Sequence, residues 1–160
     1  MIDERDIERL YRELGHVVLR RARALLRSDA EARDVLHEIF ANLLARPEQL
    51  RDVEKRVGWL YRATTNHCLN LIRNRDGRAR ILRSIPRSEE APPRGETLAT
   101  VRGLLGRLPS PLAEVAVYYY VDEMSQEEIS RILGCSRRQV GHLLERLEDW
   151  SKDDAVAYAK

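Results

Sequence analysis

The sequence has no long apolar run, few glycines and prolines, and only two cysteines among its 160 residues. Its longest apolar runs are a few residues long, which excludes a membrane-spanning helix. The first residues, MIDERDIERL, are acidic and polar, unlike a secretory signal. Eight glycines and six prolines are too few for an all-β domain rich in turns. We therefore expect a helical protein that stays in the cytoplasm.

The residue types that commonly carry catalysis or bind metals are sparse and scattered. Cys68 and Cys135 have no C-x-x-C partner, so they form neither a disulfide framework nor a structural zinc site. The sequence also lacks a glycine-rich phosphate loop and a nucleophile elbow. We therefore predict reduced thiols, no metal, no cofactor and no enzymatic activity. The histidines are expected to be structural or solvated rather than metal ligands; they are His16, His37, His67 and His142.

Charged residues are abundant, but their signs nearly cancel. The chain has 28 Lys and Arg against 26 Asp and Glu, a formal net charge of +2, and 43% hydrophobic residues. That apolar fraction is enough for a core and too high for a disordered chain. A net charge this small does not indicate whether the chain binds nucleic acid. Nearly all the basic residues are arginine, however, which favours planar recognition of phosphates, carboxylates or bases.

Apolar residues recur at the helical period in the first 75 residues and predict three helices. The first spans about residues 6–26. Ser28 and Glu31 form the sequence pattern of a capping box, which opens the second helix. A charged loop, residues 46–56, precedes a third helix over about 57–75. The buried face of that third helix is predicted to contain Leu60, Thr64, Cys68, Leu71 and Ile72.

Residues 76–97 differ in character, because they combine prolines, glycines and mixed charge with few apolar residues. We interpret them as a flexible linker. The second unit, residues 98–160, again shows helical periodicity, and no segment of the chain alternates like a strand. The predicted fold is all-α, with a three-helix unit at 1–75 and a helical bundle at 98–160. The inward positions of one helix in the bundle are predicted to be Leu112, Val115, Ala116 and Tyr119.

Two capping-box patterns flank a glycine in the second unit. Ser125 with Glu128 precedes Gly134, and Ser136 with Gln139 follows it. This spacing predicts two short helices broken at a turn, as in a helix-turn-helix. The second helix starts with SRRQ, and a polar, arginine-bearing helix end can approach phosphates and base edges in a major groove. An ordinary αα-hairpin in a small bundle is the alternative interpretation.

A stripe of polar and aromatic residues follows the third helix on the side opposite its apolar face. Amides can pair with base edges, arginines can bind phosphates, and an aromatic ring can stack on an unpaired base. The alternative is a solvated polar face with no ligand. The stripe consists of Trp59, Arg62, Asn66, Asn70 and Arg73.

An acidic pair lies on the second helix, where Asp34 and Glu38 are four residues apart with His37 beside them. Like charges at this spacing destabilise a helix by a few tenths of a kcal/mol. One interpretation is a patch that binds basic residues of a partner. The other is an ordinary solvated face.

Taken in chain order, three segments resemble the bacterial RNA polymerase sigma factors of the small extracytoplasmic-function (ECF) group. DVLHEIF (34–40) is similar to their D-x-x-Q-E-x-F core-binding motif, with His37 where glutamine is usual. WLYRATTNHCLNLIRNR (59–75) is similar to their promoter-melting segment, and residues 108–140 are similar to their C-terminal helix-turn-helix domain. The resemblance covers nearly the whole chain, including the position and length of the linker.

The resemblance implies a role for each candidate residue. It implies that the clamp helices of the polymerase β′ subunit are bound by Asp34, His37 and Glu38. It implies that the melted −10 element is bound by the loop at about 50–58 and by Arg56, Trp59, Arg62, Asn66, Asn70 and Arg73. It implies that the −35 duplex is read by Ser136, Arg137, Arg138, Gln139 and His142. Further implied partners are the β flap and an anti-sigma factor.

The sequence departs from the ECF pattern at several positions. Arg56 stands where the −10 loop usually has an aromatic residue, and Gly141 and Leu143 fall where the recognition helix usually has Lys and Arg. The C-terminal end is acidic where the family is commonly basic. These departures keep open a sigma-like protein whose C-terminal unit mainly binds a protein partner. A third hypothesis is an ordinary helix-turn-helix regulator with an unrelated helical N-terminal unit.

Overall fold

A computed structural model describes residues 2–83 and 103–158 of the chain. The chain divides into two units, Met1–Leu71 and Ile72–Lys160. The described residues contain helices and turns but no strand, which confirms the predicted all-α fold with two helical units. Most of the predicted linker, residues 84–97, lies outside the described part of the chain.

The first unit is built from α1 (Glu4–Leu26), α2 (Asp29–Ala45) and the first part of α3 (Arg56–Arg83). The segment between α2 and α3 forms two 3₁₀ turns, Pro47–Leu50 and Val53–Lys55, where the sequence predicted only a charged loop. The first of these turns places the Leu50 side chain in the interior, with 2% of its surface exposed. One apolar side chain therefore anchors an otherwise charged segment.

Local capping sets the boundaries of α1 and α2. The Asp3 carboxylate accepts from the Asp6 backbone N–H at 2.9 Å, and the Asp6 carboxylate accepts in return from the Asp3 backbone N–H at 3.2 Å. Arg27 ends α1 in the left-handed conformation with φ 54°. The Ser28 hydroxyl then accepts from the Glu31 N–H at 3.3 Å, which is one of the two hydrogen bonds of the predicted capping box. This two-residue connection reverses the chain and lets α1 and α2 pack along their lengths.

The core of the first unit lies between these three helices. Leu10, Val18 and Ala22 of α1 are almost fully buried, as are Val35 and Leu43 of α2. The face of α3 that the sequence predicted to be inward is buried at Leu60, Thr64 and Cys68, and Leu71 is half-buried. Ile72, the last residue of the predicted face, is also buried and belongs to the second unit. The inward position of the predicted face is therefore confirmed.

Helix α3 continues to Arg83, eight residues beyond its predicted end at Arg75. The physical reason is that Gly77 is the weakest helix former in this stretch, and a single interior glycine costs only about 1 kcal/mol. The residues that follow it, RARILR, all have good or moderate helix propensity. The segment predicted as linker therefore begins as helix.

The second unit contains a helical turn at 103–107, α4 (Ser110–Ala116), α5 (Gln126–Leu133) and α6 (Arg137–Tyr158). Its core includes Leu105 and Leu108, all five residues of α4 from Leu112 to Ala116, and Ile129, Val140 and Leu147. The Arg107 guanidinium binds the Asp154 carboxylate of α6 at 3.0 Å, and both side chains are about one-fifth exposed. The C-terminal part of α6 is thus attached to the helical turn at 103–107.

The end of α4 corrects one predicted core position. Tyr119, predicted inward, is 37% exposed, whereas Tyr118 beside it is fully buried and donates its hydroxyl to Glu114 at 3.0 Å. The helix widens into a π turn at Val117–Val121, closed by the Asp122 N–H donating to the Val117 carbonyl at 3.0 Å. A π turn changes the angular step per residue, so the 3.6-residue period fails there.

The helix-turn-helix has the geometry that its sequence predicted. Ser125 and Glu128 form a complete capping box at the start of α5. Gly134 ends α5 in the left-handed conformation with φ 66°, and Val140 of α6 is fully buried. The turn therefore places the start of α6 at the surface while its fourth residue enters the core.

Candidate binding surfaces

The acidic side chains of α2 lie on the exposed side of the helix. Asp34, His37 and Glu38 are exposed, whereas Leu36 and Phe40 are 7% and 4% exposed. The predicted orientation of this patch is therefore confirmed, and its three side chains are available to a partner. Its role in binding polymerase remains a prediction.

Glu38 has a partner that the sequence did not indicate. Its Oε2 lies 2.7 Å from Nε2 of His67, a residue of α3. The Glu38 side chain is 59% exposed and the His67 side chain is 27% exposed. The acidic patch of α2 is therefore connected to the helix that carries the polar stripe.

The polar stripe of α3 runs along one continuous helix, as predicted. Arg62 and Asn70 are exposed, and Trp59 and Asn66 are half-buried, so each presents some surface to solvent. Arg73 belongs to the second unit, where its guanidinium donates to the carbonyl of Leu108 at 3.2 Å. The first four stripe residues therefore lie in the first unit, and Arg73 does not.

A buried arginine lies on the inner side of α3. Arg21 of α1 is 7% exposed, donates from Nε to the Thr65 hydroxyl at 3.1 Å, and stacks over the Tyr61 ring at 4.2 Å. The Thr65 hydroxyl in turn donates to the Tyr61 carbonyl at 2.9 Å. Burial raises the pKa of the nearby Cys68 thiol to about 12, opposed by the positive charge of Arg21. The thiol is therefore neutral, and Arg21 fixes the turn of α3 next to Trp59 and Arg62.

A cavity of about 580 Å³ lies between the start of α1 and the segment that joins α2 to α3. Its wall combines apolar side chains with the charged groups of Asp6, Glu48, Arg51 and Arg56. The Nε of Arg56 is buried and has no hydrogen-bond partner among the described residues. The cavity therefore combines apolar walls with charged groups and a buried N–H donor.

The start of α6 presents the residues predicted to read duplex DNA. Ser136, Arg137, Arg138, Gln139 and His142 are all exposed. Gln139 and Ser136 also cap the helix: the Ser136 N–H donates to Gln139 Oε1 at 2.8 Å, and the Gln139 N–H donates to Ser136 Oγ at 3.1 Å. His142 Nδ1 lies 3.5 Å from Glu145 Oε2. Arg137 and Arg138 are thus the prominent outward donors of this surface.

The two unusual residues of α6 do not break the helix. Gly141 is half-buried, and an added Cβ would meet only Gln126 Oε1, at an ordinary 3.8 Å. Leu143 is half-buried beside the core position Val140. An apolar residue is therefore accommodated at position 143 without full exposure.

Metal-ligand clusters and membrane-spanning helices are absent from the parts that the structure describes. Over residues 2–83 and 103–158, no three His, Cys, Asp or Glu side chains come together as metal ligands. None of the helices described there is both long enough and apolar enough to cross a membrane.

Comparison with known protein families gives two matches. Residues 10–78 match the family profile described as Sigma-70 region 2, and residues 98–148 match the one described as Sigma-70, region 4. No curated protein sequence matches the chain. The two regions occur in the expected order and together cover about three quarters of the residues. The chain therefore belongs to the sigma-70 family, whose members bind RNA polymerase core and promoter DNA and direct promoter-specific transcription.

Proposed function

We propose that the chain is a sigma factor of the ECF group that recognises both elements of its promoter. In this proposal α2 binds the clamp helices of the β′ subunit through Asp34, His37 and Glu38. The stripe on α3 and the segment before it separate and hold the −10 strands, and the start of α6 reads the −35 duplex. The polymerase carries out the chemistry in the cytoplasm, and this chain supplies recognition and strand separation.

The observation that carries the proposal is that one compact unit holds two different surfaces. The first unit presents the acidic patch of α2 and also the Trp59, Arg62, Asn66 and Asn70 stripe of α3. A body that binds polymerase on one helix and DNA strands on another holds the promoter at the enzyme. An ordinary helix-turn-helix regulator has no use for this combination.

The cavity beside the 50–58 loop supports the −10 assignment. An unpaired base has apolar faces and a polar edge, and the cavity offers apolar walls together with Arg51 and the unpartnered Nε of Arg56. Its volume of about 580 Å³ is ample for one base. Arg56, which stands where an aromatic residue is usual, would then hold the base by a hydrogen bond in place of stacking.

A second candidate function concerns the C-terminal unit. Gln139 uses one lone pair of its carbonyl oxygen in the capping box, which reduces its capacity to accept from a base, whereas its amide N–H₂ can donate to one. Further along α6, the exposed residues include Glu145, Glu148 and Asp149, which repel phosphates. These features favour a weak −35 contact or a protein partner at this surface. An anti-sigma factor and the β flap are the partners implied by the resemblance.

The test is transcription in vitro with core polymerase, the full chain and fragmented genomic DNA. We expect discrete transcripts that require the chain. On one such promoter, Asn66→Ala should leave duplex binding unchanged and slow opening, measured by permanganate reactivity of unpaired thymines. The control is Asn74→Ala, an exposed asparagine of α3 outside the stripe. Absence of any chain-dependent transcript, or equal opening by the Asn66 and Asn74 variants, would contradict the proposal.

A further inference from the structure

We infer that His67 is a positioning residue of the polymerase-binding surface, which holds the Glu38 carboxylate in the orientation that the polymerase binds. The inference rests on the proposed function, because it assigns Glu38 to that surface. His67 belongs to α3 and lies next to Asn66, so it also connects the polymerase-binding helix to the helix proposed to open DNA.

The geometry distinguishes Glu38 from the other acidic member of the patch. Glu38 Oε2 is 2.7 Å from His67 Nε2, a distance typical of a charge-assisted hydrogen bond. Asp34, one turn earlier on α2, makes no hydrogen bond or ion pair with the residues that the structure describes. His67 therefore acts on one carboxylate of the pair and leaves the other unrestrained.

The burial of the two side chains shows which one restrains the other. His67 is 27% exposed and is held by its position on α3, whereas Glu38 is 59% exposed and extends from the surface of α2. Fixing a flexible side chain at an interface has an entropic cost, which a bond already present in the free protein removes. A carboxylate has two oxygens, so Oε1 can bind a basic group of a partner while Oε2 keeps the histidine.

The contact also gives a role to His67, to which none of the motifs found in the sequence assigns one. The histidines were expected to be structural or solvated, and the spacing of 29 residues between Glu38 and His67 indicates nothing by itself. Only the packing of α3 beside α2 brings the imidazole to the carboxylate.

The experiment is a double-mutant cycle on affinity for core polymerase, measured by titration of the fluorescently labelled full-length chain. The variants are Glu38→Ala, His67→Ala, the Glu38→Ala/His67→Ala pair, and His67→Gln, whose amide N–H can replace the imidazole donor. His16→Ala, at an exposed histidine of α1, is the matched control. Thermal unfolding of each variant separates loss of binding from loss of folding.

We expect His67→Ala to weaken core binding about three- to tenfold, the range for ordering one long side chain. His67→Gln should restore affinity to within about twofold of wild type, and His67→Ala should have no further effect once Glu38 is Ala. The His16 variant should bind like wild type.

Three results would overturn the inference. Unchanged or tighter binding by His67→Ala would show that the histidine does not prepare Glu38 for the polymerase. An equal loss in the Glu38→Ala background would show that His67 acts independently of Glu38. If Glu38→Ala itself binds like wild type, the α2 assignment in the proposed function fails as well, so the two failures are distinguishable.

Discussion

Glu38 and Arg21 of the first unit are held by contacts between helices, whereas the polar side chains at the start of α6 are held by their neighbours in sequence. Glu38 contacts His67, and Arg21 contacts Thr65. Ser136 and Gln139, in contrast, cap each other three residues apart. Substitutions in the core of the first unit should therefore disturb its binding surfaces, whereas the start of α6 should tolerate changes elsewhere in its unit.

The largest effect is expected from reversing the charge of the acidic patch. Replacing both Asp34 and Glu38 by Lys should weaken binding to core polymerase by about 100-fold or more, because two attractive contacts become repulsive. Titration with core polymerase measures the change, and circular dichroism should show unaltered helicity because both positions are exposed. Replacing both Glu8 and Glu13, two exposed acidic residues of α1, by Lys is the charge-matched control. Equal binding by the patch and control variants would remove polymerase binding from α2.

The next effect tests the contacts between helices in the first unit. Arg21→Met should lower the free energy of unfolding by about 2 kcal/mol, because it removes a buried hydrogen bond and a cation–π contact. Arg20→Met, at the exposed neighbouring position, should change stability by less than about 0.5 kcal/mol. Urea denaturation measures both. Similar losses in the two variants would show that Arg21 does not secure α3.

A smaller effect is expected at the start of α6. Arg137→Ala or Arg138→Ala should reduce the affinity of the chain for its −35 duplex about tenfold if the arginine binds a base. If it binds a phosphate, all sequences should weaken alike and the salt slope should fall by about one. Arg131→Ala on α5, an exposed arginine paired with Glu127, is the control. Unchanged binding by both variants, with strong binding gained by Leu143→Arg, would favour a protein partner for this unit.

The smallest effect concerns the stability of the second unit and leaves its binding surface intact. Gly141→Ala should raise the free energy of unfolding by up to about 1 kcal/mol, since Ala is the better helix former and the site has room for a Cβ. Glu123 lies in the left-handed region at φ 53°. Glu123→Gly should therefore raise the free energy of unfolding by a similar or smaller amount, because glycine adopts this conformation without steric cost. Thermal unfolding measures both changes. A loss of stability in either variant would contradict this account of its backbone.

Features set by neighbouring residues could be predicted from the sequence, and features set by distant residues could not. The capping boxes at Ser125 and Ser136 and the left-handed Gly134 depend on three- or four-residue patterns, and they were predicted correctly. The exposed orientation of Asp34 and Glu38 followed from helical periodicity in the same way.

The errors and omissions have two physical causes. The position of Tyr119 and the end of α3 depend on small differences in backbone energy, a π turn in one case and a tolerated Gly77 in the other. The contacts of Glu38 with His67 and of Arg21 with Thr65 join residues far apart in sequence, and periodicity within one helix does not determine which helices meet.

The ion pair between Arg107 and Asp154 shows that the part of the chain that folds is longer than the part that its family shares. The region 4 match ends at residue 148, yet α6 continues without a break to Tyr158 and makes this pair beyond that point. At 1.5 Å per residue, the 22-residue helix is about 33 Å long, so one continuous helix joins the ion pair at Asp154 to the exposed residues at its start. A fragment cut at the family boundary would keep every residue proposed to read DNA and lose the carboxylate that pairs with Arg107.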